Sequence, residues 1–217
     1  VKLHVFETCP YCLRVRIFAG LKGLPLTIVP MTPGEVPEHL RKRVGRTTVP
    51  ILELGDEVLQ NSAEIICQLD AQGTQLLSGY QTSAAFEAWR ASIRAPLDAL
   101  CYPRMPGLSP AELASPGARC WVKSEMPKRI GMSFAEALAK TGQLTDEIAG
   151  LLPAALRWLD SPLRFDTIAA LADLQSLTMV AELHWPNSVG SRFQTLMHRA
   201  GMAPFPPVDQ TGYYLDE

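Results

Sequence analysis

The stretch Lys2-Leu3-His4-Val5-Phe6-Glu7-Thr8-Cys9-Pro10-Tyr11-Cys12-Leu13 decides the fold. Its first five residues alternate and are rich in β-formers, which reads as a strand. From Leu13 onward, Leu13, Ile17 and Leu21 recur at i, i+4 and i+8, a helical stripe. Between strand and helix stands Cys9-Pro10-Tyr11-Cys12. Pro10 suits the first helical position, where a missing N–H is no loss. The spacing places one thiol at the exposed helix start, with first-turn N–H groups directed at the Cys9 sulfur, and the second thiol one turn inside. By helical angle, Cys9, Cys12 and Arg16 fall on a side adjoining the apolar stripe. Both sulfurs are therefore expected away from the centre of the core.

Working outward, residues 26–31 form a second apolar run, expected as a buried strand before Pro33-Gly34. Residues 38–44 suit a short helix ended by Gly45. Residues 49–54 and 57–60 flank Gly55-Asp56 and read as a hairpin. Asn61-x-x-Glu64 fits a helix N-terminal cap, opening a helix to about Leu69. The order is β-α-β-α-β-β-α, and the helical crossover between the first two strands requires them to be parallel. The expected architecture is an α/β domain of thioredoxin-like type with a mixed four-stranded sheet over residues 1–70. A linker over 71–79 and an all-α domain over 80–217 follow, with helices expected at 83–100, 134–138, 145–159, 167–184 and 189–200. Pro153 is expected to interrupt its helix or stand at an N1 position, and Asp166-Thr167 to cap the next. The tail, with Pro204-Phe205-Pro206-Pro207 and Tyr213-Tyr214, reads as irregular.

Composition narrows the function. The chain has 217 residues, 47% of them hydrophobic, enough for a sizeable core. Twenty basic against 22 acidic side chains leave a net charge of -2, which disfavours nucleic-acid binding by bulk charge. There is no polybasic membrane anchor, and no apolar run approaches the ~18 residues of a membrane span. The first residues do not read as a secretory signal. Five cysteines (Cys9, Cys12, Cys67, Cys101, Cys120) are an odd, scattered set, unlike a secreted disulfide framework. The reading is a protein of the reducing cytoplasm. Cys67 is expected in the core beside Ile65, Ile66 and Leu69, and Cys101 and Cys120 in helices or core. Trp89, Trp121, Trp158 and Trp185 are expected between domains or helices.

A metal site needs about four ligands, and His4, His39, His184 and His198 show no zinc spacing to complete the two thiols. A structural disulfide across so short a loop would constrain little chain. The strand–C-x-x-C–helix context favours a redox dithiol. An ordinary thiol has a pKa of ~8.5, and lowering it by ~3 units takes ~4 kcal/mol of thiolate preference. A helix dipole gives ~0.3–1 kcal/mol, and a hydrogen bond to a charged group ~1.5–3. Hydrogen bonds must dominate in a strongly acidic Cys9, with Arg16 favouring ionisation and a nearby Glu7 opposing it. Two further signals have two readings each. Thr48-Val49-Pro50 is a strand-edge turn, or a cis turn facing Cys9 whose Val49 backbone pairs with a thiol peptide. Asn61-Ser62 is a cap, or a place where helix amides and a hydroxyl hold an amino-acid carboxylate.

These motifs, in this order, resemble a glutaredoxin domain, and the helical second half resembles the glutathione transferase architecture. The combination is similar to the large two-domain bacterial glutaredoxins. Tyr102-Pro103-Arg104-Met105, Ser115-Pro116-Gly117-Ala118-Arg119 and Leu183-His184-Trp185-Pro186-Asn187-Ser188-Val189 extend the likeness to about residue 200. The resemblance implies Cys9 as nucleophile and Cys12 as resolving thiol. It implies a glutathione site across Pro10, Tyr11, Thr48, Val49, Pro50, Asn61 and Ser62, with Pro50 cis. Glutathione is then a co-substrate with no covalently bound cofactor, and NADPH enters only through a separate glutathione reductase. The partners are glutathionylated or disulfide-bonded proteins, and the chain is read as a monomer with a dimer permitted. One departure stands out: the wider superfamily usually has Glu or Gln where this chain has Asn61. Arg46 is a candidate for the glycyl carboxylate. The rival functions are a glutathione transferase acting on electrophiles and a non-catalytic interaction module of the same fold.

Overall fold

The computed structural model describes residues 1–45 and 48–211. Strand β1 (Lys2–Val5) leads into helix α1 (Pro10–Lys22), then β2 (Thr27–Pro30), α2 (Glu38–Arg41), β3 (Ile51–Leu54), β4 (Glu57–Gln60) and α3 (Ser62–Asp70). The sheet order is β2-β1-β3-β4, with β1 parallel to β2 and antiparallel to β3, and β3 antiparallel to β4. The mixed four-stranded sheet and the element order are those the sequence implies. Gly55, at φ +59°, supplies the left-handed turn of the β3–β4 hairpin.

Three local expectations need correction. β2 is an edge strand, not a buried one: Ile28 is 37% exposed. Its apolar run reads like a core strand, but it has a neighbour on one side only. Pro30, which cannot donate to a ladder, suits that edge. β3 starts at Ile51, after a cis Val49–Pro50 peptide bond, rather than at Val49. Cys67 is exposed, because α3 turns Ile65, Ile66 and Leu69 inward and leaves Cys67 on its outer face.

The second half is helical: α4 (Ala84–Cys101), α5 (Pro116–Ile130), α6 (Phe134–Ala139), α7 (Thr141–Leu151), α8 (Leu156–Leu159), α9 (Phe165–Leu177) and α10 (Asn187–Arg199). Tight 3-10 turns occupy Met105–Leu108, Ala111–Leu113 and Leu152–Ala155. The sequence reading missed α5 as a helix, although Ser115 caps it, Pro116 opens it and Gly131 closes it at φ +70°. Its inward residues Ala118, Val122 and Met126 make a thin stripe among polar neighbours. The helical run over 145–159 is interrupted around Pro153, as expected, into α7, a 3-10 turn with the proline in its first positions, and α8. The helix expected to reach His184 ends at Leu177, after which Val180 pairs with Val208 in an isolated parallel bridge. The N-cap of α9 is Arg164. Thr167 Oγ1 accepts the Arg164 N–H (3.2 Å), while Asp166 instead accepts the Ser83 N–H (2.8 Å).

Helix α9 is buried at every position and lies against α1, so one core runs through both halves. Phe86, Trp89 and Trp158 meet within it in tilted and edge-to-face contacts, with centroids 4.9–5.6 Å apart. Trp185 stacks on Phe193, but Trp121 is 43% exposed beside Arg129 instead of packing between helices. Among the described residues, no helix is long and apolar enough to cross a membrane.

Candidate active site

Helix α1 begins at Pro10, with Cys9 as its N-cap in extended backbone. Cys9 is half-buried and Cys12 is completely buried. This corrects the expectation for Cys12. Helical angle alone put it beside the core stripe, but α1 is covered by the sheet on one side and α9 on another. Cys12, Leu13, Arg14, Val15, Ile17, Phe18 and Ala19 are all buried as a result.

The two thiols are pushed in opposite directions. The Cys12 thiol, hydrogen-bonded to Cys9, holds the Cys9 thiol below its ordinary value, helped by the Cys12 and Tyr11 N–H groups and opposed by burial and by the Glu112 carboxylate. Cys12 moves well up, first through its own burial and then through the partner sulfur. No first-turn N–H makes a full capping bond to the Cys9 sulfur. The neighbouring thiol outranks the helix start in stabilising the thiolate. Arg16 is not among the leading influences on either sulfur. It lines a separate groove with Glu7, Leu108 and Pro206.

Beside the thiols a cleft of about 1120 Å³ is lined by Tyr11, Thr48, Val49, Pro50, Asn61 and Ser62, with Tyr80, Thr82 and Phe165 on the far wall. The structure thus brings six of the seven residues selected for the glutathione site to one place, while Pro10 lines a separate small cavity with Thr8 and Tyr102. The cis Pro50 stands at the start of β3, and the Gln60 amide donates to the Thr48 carbonyl (3.0 Å), tying that turn to β4. Asn61, at φ +72°, turns its side chain back onto α3 and accepts the Ala63 N–H (2.9 Å). The capping reading of Asn61 therefore holds, and its amide is committed to the helix. Ser62, the first residue of α3, faces the cleft. Arg46 lies outside the described residues. Among the described residues, no group of three or more His, Cys, Asp or Glu is arranged to hold a metal ion.

Two sets of neighbours escaped the sequence reading. The Tyr11 ring has the Arg14 guanidinium 4.8 Å and the Arg90 guanidinium 5.5 Å from its centroid. Arg90 is anchored by Asp173 (2.8 Å). Arg14 is buried, and that burial pushes its pKa down. The second set is Glu112, whose carboxylate accepts the Glu7 N–H (2.9 Å), the Thr8 N–H (2.9 Å) and the Thr8 hydroxyl (2.7 Å). Arg90 and Glu112 are not visible as spacing, because each reaches its partner across scores of positions, whereas Arg14 stands three residues from Tyr11 on the same helix.

Comparison with known proteins fits this geometry. Residues 3–75 match the family model for a glutathione S-transferase N-terminal domain, and residues 85–206 match that for the glutaredoxin 2 C-terminal domain. Glutaredoxin 2 of Escherichia coli K12 is 31% identical over 197 residues, covering 87% of this chain and 90% of that protein. The chain belongs to the glutaredoxin 2 family. The crystal structure of Salmonella typhimurium glutaredoxin 2 in complex with glutathione superposes with a TM-score of 0.84 at 25% identity, over 94% of this chain and 96% of that one. A Ceriporiopsis subvermispora glutathione S-transferase superposes at a TM-score of 0.72 with 12% identity, over 94% and 98% of the two chains, which shows the shared fold alone. Membership of the glutaredoxin 2 family accounts for a redox dithiol carried on a transferase-like frame.

Proposed function

We propose that this member of the glutaredoxin 2 family is a glutathione-dependent thiol–disulfide oxidoreductase, with Cys9 as nucleophile and Cys12 as resolving thiol. The observation that carries this reading is the opposed ionisation of the two thiols. The half-buried one is stabilised as thiolate beside an open cleft, and the buried one is kept protonated. Thiolate is the attacking species in disulfide exchange.

In the monothiol route, the Cys9 thiolate attacks the glutathione sulfur of a mixed disulfide. The substrate leaves as its thiolate and takes a proton. A second glutathione thiolate then attacks the Cys9–glutathione bond, releasing oxidised glutathione and the Cys9 thiolate. In the dithiol route, Cys9 attacks a protein disulfide. Cys12 loses its proton and displaces the substrate thiol, leaving a Cys9–Cys12 bond that two glutathiones reduce. NADPH acts through a separate glutathione reductase. Glutathione lies in the cleft, its cysteinyl backbone paired with Val49 as an added strand would be. Its γ-glutamyl carboxylate meets Ser62 and the start of α3, Tyr11, Thr48 and Pro50 shape the wall, and Pro10 opens the helix that presents Cys9. Residues 1–70 supply the chemistry and the helices after the 71–79 linker supply its support, in a monomer of the reducing cytoplasm.

The test is a coupled assay with glutathione, glutathione reductase and NADPH, on a glutathione mixed disulfide of a small thiol. Cys9→Ser is expected to abolish turnover, and Cys12→Ser to retain it on that substrate and lose it on a protein disulfide. A parent protein that conjugates glutathione to an electrophile and leaves the disulfide untouched would make it a transferase.

A further inference from the structure

We propose that Glu112 is a positioning residue for the thiol–disulfide reaction: a buried carboxylate of the helical half that fixes the loop leading into Cys9 and places a negative charge behind the reacting thiols. The inference rests on the dithiol reading of Cys9 and Cys12.

Glu112 sits in the 3-10 turn Ala111–Leu113 and is 3% exposed. One oxygen accepts both the N–H and the hydroxyl of Thr8, and the other accepts the Glu7 N–H, at 2.7–2.9 Å. The strap is reciprocal, since the Ala111 N–H donates to the Glu7 carboxylate at 3.0 Å. The Met105 sulfur lies 3.1 Å from the same Thr8 hydroxyl oxygen, packed against the strap. The two residues before the nucleophile are thus held, backbone and side chain, by a segment about a hundred positions away.

Holding a loop needs acceptors but not a charge. Yet Glu112 is ionisable and, among the described residues, has no Lys, Arg or His within ion-pair distance. A buried carboxylate without a cation is costly to keep unless hydrogen bonds compensate it, and here N–H and O–H dipoles do so. Of the other charges near the site, two arginines are balanced by carboxylates, and Arg14 stands without an ion pair among the described residues. Arg94 pairs with Asp98 (2.7 Å) and Arg90 with Asp173 (2.8 Å) along a small interdomain cavity that Thr8, Pro10 and Tyr102 also line, while Arg14 lies under Tyr11. Glu7 is engaged with Ala111. That leaves Glu112 as the carboxylate opposing ionisation of both Cys9 and Cys12. Its charge disfavours the thiolate of the reduced pair and so favours the Cys9–Cys12 disulfide, making the dithiol the stronger reductant.

Glu112→Gln removes the charge at nearly constant shape, and Glu112→Asp keeps the charge but withdraws it from the loop. In Glu112→Gln, the pH midpoint of Cys9 alkylation by iodoacetamide is expected to fall by about half a unit, roughly a threefold gain in thiolate below that midpoint. Its disulfide–dithiol equilibrium with glutathione is expected to shift about threefold toward the dithiol, or roughly 14 mV, since tenfold is ~30 mV. In Glu112→Asp the alkylation midpoint is expected to stay at the parent value while kcat/KM on the mixed disulfide falls at least fivefold. A parent-like midpoint and equilibrium in Glu112→Gln, or a parent-like kcat/KM in Glu112→Asp, overturns the proposal. Should either variant fail to fold by circular dichroism, Thr8→Val removes one donor of the strap and is expected to lower kcat/KM about threefold, and no loss there also overturns it. Alkylation needs no turnover, so an inactive parent defeats the oxidoreductase reading while the charge effect is still measured.

Discussion

Cys9 and Cys12 share a helix turn and differ in every property that governs thiol chemistry. Cys9 is half-buried with its pKa lowered, and Cys12 is buried with its pKa raised. At neutral pH, iodoacetamide is expected to label Cys9 well ahead of Cys12, read by mass spectrometry of the quenched protein. Because the Cys12 thiol is the leading influence that lowers Cys9, Cys12→Ala is expected to move the Cys9 alkylation midpoint upward. Cys12→Ser, which keeps a donor, is expected to move it less. The sequence showed the pair, Pro50, Asn61 and Ser62, since each belongs to a short motif whose local geometry follows from a few neighbouring residues. It did not show that Cys12 is buried, because helical angle ranks the faces of one helix without revealing that α9 covers a second face. Glu112 was invisible for a related reason, since its partners are distant in sequence, and Arg14, though one turn from Tyr11, gave no sign that Phe165 of α9 lies against it and buries it.

At the scale of elements, α3 ends in a compact polar knot. Asp70 takes Lys22 Nζ (2.8 Å), the Leu76 and Leu77 N–H groups (2.9 Å each) and the Tyr80 hydroxyl (3.1 Å), pinning the connection between the two halves. Burial alone would raise the Asp70 pKa, but Lys22 and the N–H donors outweigh it and the carboxyl is held low. A lowered folded-state pKa gives stability that is fully present above the unfolded value of ~3.9 and is lost as pH falls through the folded value. Asp70→Asn is therefore expected to destabilise the protein at pH 7 and much less near pH 2, followed by urea unfolding at both. Removing the side chain in Asp70→Ala is expected to cost about 3–5 kcal/mol at pH 7, since it strands a buried lysine. Helix α1 meets the end of α10 just as tightly. A Cβ on Gly20 would lie 1.9 Å from the Ala200 carbonyl oxygen. Gly20→Ala must displace backbone, and a loss of about 1–3 kcal/mol or more is expected in the same unfolding assay. The long periodic helices and the hairpin were legible because their patterns are strong. Helix α5 was not, since its inward stripe is thin and Pro127 lies within it.

For the whole molecule, the sequence divides into an α/β stretch and a helical one, while the structure packs both around a common interior. Cys12, Val15 and Phe18 of α1 belong to the same apolar cluster as Ile168, Leu171 and Leu174 of α9. A fragment of residues 1–79 would expose that face of α1 to water. It is expected to lack the dispersed amide spectrum of a folded domain in NMR, and the full chain to unfold in a single calorimetric transition. The division was legible from composition and periodicity, and the joint interior was not, because both halves show similar apolar stripes whether they face each other or their own neighbours.

The strap from Glu112 to Thr8 and the seat of Gly20 against Ala200 also order events during synthesis. Cys9 is translated about a hundred residues before Glu112, the group that holds its loop. At roughly 5–20 residues per second, the Cys9 thiol waits on the order of 5–20 s before Glu112 has been added to the chain. The helix behind it waits longer still for Ala200. The nascent chain therefore carries Cys9 and Cys12 without their finished surroundings until Glu112 and then Ala200 have been added.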